Sequence, residues 1–428
     1  MIGKLALHGL GTNDRGQLIT ATPPCLLRRN LVGYLICAPF LLPISCGSAR
    51  ALTFADMGAV GDGVTDDTAA IAKALRSGRL VDGQGRTYVV RGNIMVAGRF
   101  AGLSNATFVQ KAPPTLDRRT ITIRNSNGFA ITNVTLRQGI EVIALSTHSM
   151  MERGGLFIQN CSDFTLDHVA IRGGGCGTSL VLQFCTSFSA SDISIADVRG
   201  IAASMPSDDV LQGFMVQQSN NFRIIRPRIE LLTLKIGDRI IADQSRALVI
   251  GGSSQFEIVD LFVRSVGQGL DLTGGDGNHD FKIIGGRARD CGTWGFKFAN
   301  SARNGIIENA VAENCGLGGF VASGPAEKIA TPPTQSIIFR RCQAKGIGGS
   351  WRLAGTFGFG IMENSRTAPG YPRAIRFEQC MADGGDGGEM MTGFRNDLPD
   401  LAGADRNIAT GCSVTRYTEH AFVGFTEG

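Results

Sequence analysis

Ser162-Asp163-Phe164-Thr165-Leu166 is the first of five near-copies of one phrase: polar residues, then Phe, any residue and an apolar or small one. The others are Thr186-Ser187-Phe188-Ser189-Ala190, Asn220-Asn221-Phe222-Arg223-Ile224, Ser254-Gln255-Phe256-Glu257-Ile258 and His279-Asp280-Phe281-Lys282-Ile283. From Phe164 to Phe281 the intervals are 24, 34, 34 and 25 residues, and weaker copies follow around Ile306, Ile338 and Ile375. Each copy alternates apolar and polar residues over too short a stretch for a helix, which is the period of a strand. A unit of this length cannot enclose a core alone, so the units must stack and share one interior. That pattern predicts an all-β fold, a parallel β-helix solenoid, right-handed because parallel crossovers take that hand. A propeller needs longer antiparallel strands, and a leucine-rich repeat needs its L-x-x-L-x-L phrase; neither is present.

The rest of the composition agrees. With 43% apolar and 18% charged residues in 428, the chain is too apolar to be disordered. It holds 58 Gly but only 14 Pro and no G-X-Y period, which excludes collagen and predicts many turns served by glycine. The formal charge of +5 is concentrated at the front, where residues 1–50 carry Lys4, Arg15, Arg28, Arg29 and Arg50 against Asp14 alone. The remainder is close to neutral, so no nucleic-acid footprint and no nucleic-acid partner is expected.

Arg28-Arg29 precedes an apolar run at 31–45 that is short and interrupted by Pro39 and Pro43. This reads as a signal segment over 1–51, with Ala49-Arg50-Ala51 as the small-x-small cleavage site, rather than as a membrane span. A secreted or periplasmic protein follows, with residues 52–428 as a single β-helix domain. Beyond the signal segment eight cysteines remain, and their spacing sets Cys161 with Cys185, Cys291 with Cys315, and Cys342 with Cys380 as rows. Rows of buried thiols are expected, although adjacent rungs also come within reach of a disulfide.

At the front of that domain, residues 54–75 contain Phe54, Gly58-Ala59, Gly61-Asp62-Gly63, Asp66-Asp67-Thr68 and Ile71. A tight turn at Gly61-Asp62-Gly63, a cap at Thr65 or Asp66, and the i, i+4 pair Ile71 and Leu75 predict a short helix closing the solenoid's open end. This stretch resembles the N-terminal signature of the pectate-lyase-like superfamily of right-handed β-helix proteins, F-x-x-x-G-A-x-G-D-G-x-x-D-D-T-x-A-I. The resemblance implies binding or cleavage of polysaccharides, by lyases, hydrolases, epimerases or phage tailspikes, without naming the reaction.

Aligning the strands after the longer turns gives an outward row of Val181, Met215, Val249, Asp271, Lys297 and Val321. Two opposite charges on adjacent rungs of an otherwise apolar row are expected to form a substrate-facing patch. The turn after Asp271 is expanded and carries Asp276, His279 and Asp280. The run from Gly269 through Asp271 and Thr273 to His279-Asp280 resembles the G-F-D-P-H-D…H-D phrase of mannuronan C5-epimerases, with Asp271 at the family's catalytic Asp and Thr273 where its His would stand.

Two rungs carry inserts ahead of Met215 and Val249, which bring Asp209 and Asp243 to equivalent positions, flanked by Asp208, Asp238, Arg239 and Arg246. Such a carboxylate pair suits Ca²⁺, the one cofactor expected, or acid–base hydrolysis. β-Elimination from a uronate needs its carboxylate neutralised and a base for the C5 proton. Arg264, Arg303, Arg239 and Arg246 are candidates for the first task, with Asp276 nearby for binding, and Lys297 or His279 for the second. The expectation is a polysaccharide lyase acting on an acidic glycan. Its alternatives are a hydrolase using Asp208, Asp209, Asp243 or Asp271, a uronate C5-epimerase, and a non-catalytic glycan-binding or envelope protein. The G-H-G and R-I-K phrases of polygalacturonases are missing.

Overall fold

Each Phe phrase forms one strand of a turn of the chain, and two further strands complete that turn. The computed structural model describes residues 50–111, 119–139, 154–175, 177–201, 211–240, 245–274, 277–324, 332–348, 355–362, 371–386, 390–398 and 403–425. One turn runs through Leu211–Gln217, Asn220–Ile225 and Arg228–Ile236; the next runs through Ser245–Gly251, Ser254–Val259 and Phe262–Val266. Counterparts pair in parallel from turn to turn: Phe214 with Leu248, Phe222 with Phe256, Ile229 with Val263. The result is the right-handed parallel β-helix expected. Face A holds the Phe phrases, face B the strands after them and face C the strands before them. Among the described residues, A and B form one bent 23-stranded sheet and C a separate sheet of 12.

Stacked rings fill the interior. Phe129, Phe164, Phe188, Phe222, Phe256 and Phe281 lie 4.7–5.4 Å apart with planes within 11° of parallel. That distance follows from the spacing of neighbouring strands, about 4.8 Å. A second ladder, which the phrase does not reveal, rises behind face C: Phe296, Phe320, Phe359, Phe394 and Phe422, at 4.8–5.1 Å.

Glycine serves many turns as expected, taking positive φ at Gly58, Gly61, Gly285 and Gly286 among others, but it is not the turn residue of the Phe phrase. The second residue of the phrase takes a left-handed conformation, with φ of 55° at Asp163, 53° at Ser187 and Asn221, and 54° at Gln255. Asn and Asp tolerate this region because their short polar side chains bond locally, so the phrase opens with such residues. Other glycines form a packing column. At Gly269, Gly295, Gly319 and Gly358 an added methyl would fall 2.3–2.9 Å from the carbonyl oxygen of the next rung. Ala288, Ala312, Ala344 and Ala382 stand in register on face B, and the same methyls would meet them.

The cysteines do form rows of free thiols, buried except for Cys412; Cys176 lies outside the described residues. The Cys161 and Cys185 row continues as a polar ladder at the corner between C and A. The Cys185 N–H donates to Ser219 Oγ, that of Ser219 to Ser253 Oγ, and that of Ser253 to Asn278 Oδ1, each at 3.0–3.1 Å.

The open end is closed by the helix Thr68–Leu75, with Ile71, Ala72, Ala74 and Leu75 buried. Its cap is Asp67, one residue later than expected, and that side chain faces away from the helix. Its carboxylate accepts the N–H groups of Val60 (2.7 Å) and Gly61 (3.1 Å), fixing the turn, while Asp66 accepts from Thr68. Phe54 packs edge-on to Tyr88 at 4.8 Å. The signature is thus accounted for as the end plug. Residues 1–49, which hold most of the expected signal segment, lie outside the described residues, and no described helix is long and apolar enough to cross a membrane.

Candidate functional site

The three corners of the solenoid are not alike. From face A to face B the chain turns in two residues at rung after rung, as at Asp192-Ile193, Arg226-Pro227, Asp260-Leu261 and Asn309-Ala310. The long connections enter or leave face C: Gln138 to Gly154, Ile201 to Leu211, Ser323 to Gln335, Lys345 to Phe357 and Met362 to Arg373. Binding loops of a solenoid gather on one side while the remaining corners stay short. That asymmetry directs attention to the outer surface of face C.

On that surface the row read from the sequence is a single line. Val181 pairs with Met215, Met215 with Val249, Val249 with Asp271, Asp271 with Lys297, and Lys297 with Val321. It differs from expectation in one respect: Asp271 is 0% exposed, and Val181, Val249 and Val321 are buried too. The patch is covered, which explains why the outward row is otherwise apolar.

A buried carboxylate requires compensation. Arg246 Nη1 lies 2.6 Å from Asp271 Oδ2, and Lys297 Nζ lies 3.9 Å from the same oxygen; the two cations are only 16% and 18% exposed. Neither Asp271 oxygen accepts an aligned hydrogen bond among the described residues, so the two ion pairs are the compensation that this carboxylate receives. Arg246 reaches this position from a neighbouring outward column, in which Gln212 pairs with Arg246 and Arg246 with Gln268. The next rung of that column places Trp294 on the strand Trp294–Phe298 that also carries Lys297.

The other expected site residues are placed elsewhere. His279 heads the strand His279–Ile284 on face A, pairs with Arg303 on the next rung, and keeps Nδ1 2.8 Å from Asp280 Oδ2. Arg303 donates to the Ser301 carbonyl at 3.3 Å. Arg264 is on face B, 3.0 Å from Glu230 on the rung before, and pairs in register with Arg289 on the rung after. The expected gathering of His279 and Arg264 around Asp271 is therefore not how these side chains distribute, because the corner at Asn278 turns His279 onto another face. Asp208, Asp209, Asp243 and Asp276 lie outside the described residues, as does the side chain of Arg239, whose strand Arg239–Ile240 pairs antiparallel with Lys235 and Ile236.

Sequence reasoning missed two features away from face C. Asp167, His168 and Asp192 draw together, with His168 Nδ1 2.9 Å from Asp167 Oδ2. Their hydrogen bonds, from Ser191 to Asp167 and from Arg226 to Asp192, hold both carboxyls below the usual range, which marks a surface ion-pair network. An open groove of about 700 Å³ runs along face A past Thr165, Ser189, Arg223, Glu257 and Lys282, with Arg223 and Glu257 paired at 2.7 Å. Its charges compensate one another, whereas face C concentrates two cations around one buried carboxylate.

A family model described as rhamnogalacturonase A/epimerase, pectate lyase-like, matches residues 53–319. No curated protein matches the chain. Among solved structures, the A-module of the mannuronan C-5 epimerase AlgE4 of Azotobacter vinelandii is similar at a TM-score of 0.54 and 14% identity, over 87% of this chain and 97% of that one. The Dettilon tailspike protein gp208 is similar at 0.52 and 13% identity, over 85% and 68%. The pre-mature gene product 12 of bacteriophage phi29 is similar at 0.50 and 14% identity, over 87% and 57%. At such identities the likeness is one of fold.

Proposed function

The chain belongs to the rhamnogalacturonase A/epimerase, pectate lyase-like family, and from that premise we propose that it cleaves a uronate-containing polysaccharide by β-elimination on the outer surface of face C. The observation that carries this reading is Asp271, buried on that surface between Arg246 and Lys297. In this reading Arg246 neutralises the uronate carboxylate, which makes the adjoining C5 proton removable. Lys297 is the base assigned to that proton; the C5–H electron pair forms the C4–C5 double bond, the C4–O bond breaks, and the departing oxygen takes a proton from water. Asp271 holds the side chains of Arg246 and Lys297 in place. Hydrolysis favours two carboxylates flanking the bond. Among the described residues the outward row from Val181 to Val321 contains one.

The test is to incubate the protein with a panel of uronate polymers and follow the ultraviolet absorbance of an unsaturated uronate alongside reducing ends. Both should rise together. Reducing ends without absorbance would indicate a hydrolase. C5 proton exchange from heavy water, with neither signal, would indicate an epimerase sharing the first step. Export belongs to the same proposal, supported by Arg28-Arg29, the apolar run and Ala49-Arg50-Ala51. So does a role for Ca²⁺ at Asp209 and Asp243, which loss of activity on chelation and recovery with calcium would support.

A further inference from the structure

We propose that Trp294 is a sugar-stacking residue, holding a pyranose ring of the uronate chain beside the one whose carboxylate meets Arg246; the proposal rests on the reading of face C given above. Trp294 pairs with Gly318 and Gly318 with Phe357, so the two rings stand on alternate rungs of one outward column with a glycine between them. Their centroids are 5.5 Å apart and their planes differ by 32°. A methyl on Gly318 would fall 2.8 Å from the indole Cζ3 and 2.9 Å from Phe357 Cε2. One on Gly360, which follows Val321 in the outward row, would fall 2.2 Å from that same Cε2. Two outward positions without side chains let both rings lie down along the sheet.

The two rings have different tasks. Phe357 is 1% exposed and acts as a buttress, while Trp294 is only half-buried and keeps surface for a ligand. The indole presents an apolar body and a polar tip together. A flat apolar surface with a polar tip, three residues along the strand from Lys297, matches a uronate oligosaccharide: C–H groups on the ring face with hydroxyls and a carboxylate at the rim. Trp294 is thus a positioning residue, and its loss should weaken binding while leaving bond-breaking largely intact.

The chain has two tryptophans, Trp294 and Trp351, so Trp351→Phe leaves Trp294 as the sole indole reporter. Titration of that variant with galacturonate and mannuronate hexamers should change its emission saturably with at least one. By calorimetry, Trp294→Ala should bind that hexamer about tenfold more weakly, and Trp294→Phe should recover most of the loss. KM should rise in parallel with kcat little changed. Flat emission with binding seen by calorimetry, unchanged affinity in Trp294→Ala, or no binding of either hexamer would overturn the proposal. If Trp351→Phe fails to fold, loss of the emission change in Trp294→Phe of the otherwise natural chain carries the same test. A saturable response in a protein whose Lys297→Ala and Asp271→Asn variants keep full turnover would retain the stacking site and discard the chemistry assigned to its neighbours.

Discussion

The ring of Phe281 occupies the space that a side chain on Gly305, its partner one rung on, would need: an added methyl would lie 2.1 Å from Cζ. The face A ladder ends there, and Phe298 stacks on Phe281 instead, at 6.0 Å and 10°. Gly305→Ala should therefore cost about 1–3 kcal/mol through overpacking. In a double-mutant cycle with Phe281→Leu the two losses should be strongly non-additive. Thermal melts of the four proteins supply the measurement, and additive losses would mean that the contact is not made.

Removing Asp271 should destabilise more than its own contacts suggest. Asp271→Ala leaves two mostly buried cations without their counter-charge, a loss of about 3–5 kcal/mol. Replacing Asp271 and Arg246 together by Leu should recover much of it, because the unpaired charge is the larger part of the penalty. Denaturant midpoints of the single and double variants decide.

How far the sequence reveals this molecule depends on what interrupts its period. The Phe phrase is legible because polar residues, Phe and an apolar or small residue recur in the same order, which marks the copies although their intervals range from 24 to 34 residues. Phe296, Phe320, Phe359, Phe394 and Phe422 stack as closely, at intervals of 24, 39, 35 and 28 residues, but the polar opening of the phrase does not precede them and so does not mark the ladder. The row through Asp271 and Lys297 follows from strand alternation alone. Gln268 and Trp294 do not, because the glycines after them, Gly269 and Gly295, turn inward against Ala288 and Ala312 and break that alternation. Burial of Asp271 was equally invisible, for an outward position by period is exposed only where nothing covers it.

The thiol rows should be chemically inert in the folded protein. Burial pushes Cys185 up to about 12 and raises Cys161 as well. Because the thiolate is the nucleophile, iodoacetamide at mildly alkaline pH should leave both unmodified until the chain is unfolded. Peptide mass mapping after brief labelling checks this, and rapid modification of Cys185 in native protein would contradict it.

Acid should loosen the end plug. Asp62 accepts the N–H groups of Val64 and Thr65 and the Thr65 hydroxyl, each at 2.8 Å, and these bonds hold its carboxyl below the ordinary 3.8. A depressed folded value contributes stability that is present above the unfolded value and lost as pH falls through the folded one. Amide exchange at Val64 and Thr65 should accelerate below about pH 4 relative to its intrinsic rate, and Asp62→Asn should remove that acid limb. An identical acid limb in the variant would assign the effect to another group.

The most direct measurement is the turnover of Lys297→Ala and Asp271→Asn on whichever uronate polymer the natural protein converts to an unsaturated product, with melting temperature recorded beside it. Both variants should fold and lose nearly all formation of that product. Full turnover in both would remove the chemistry from face C.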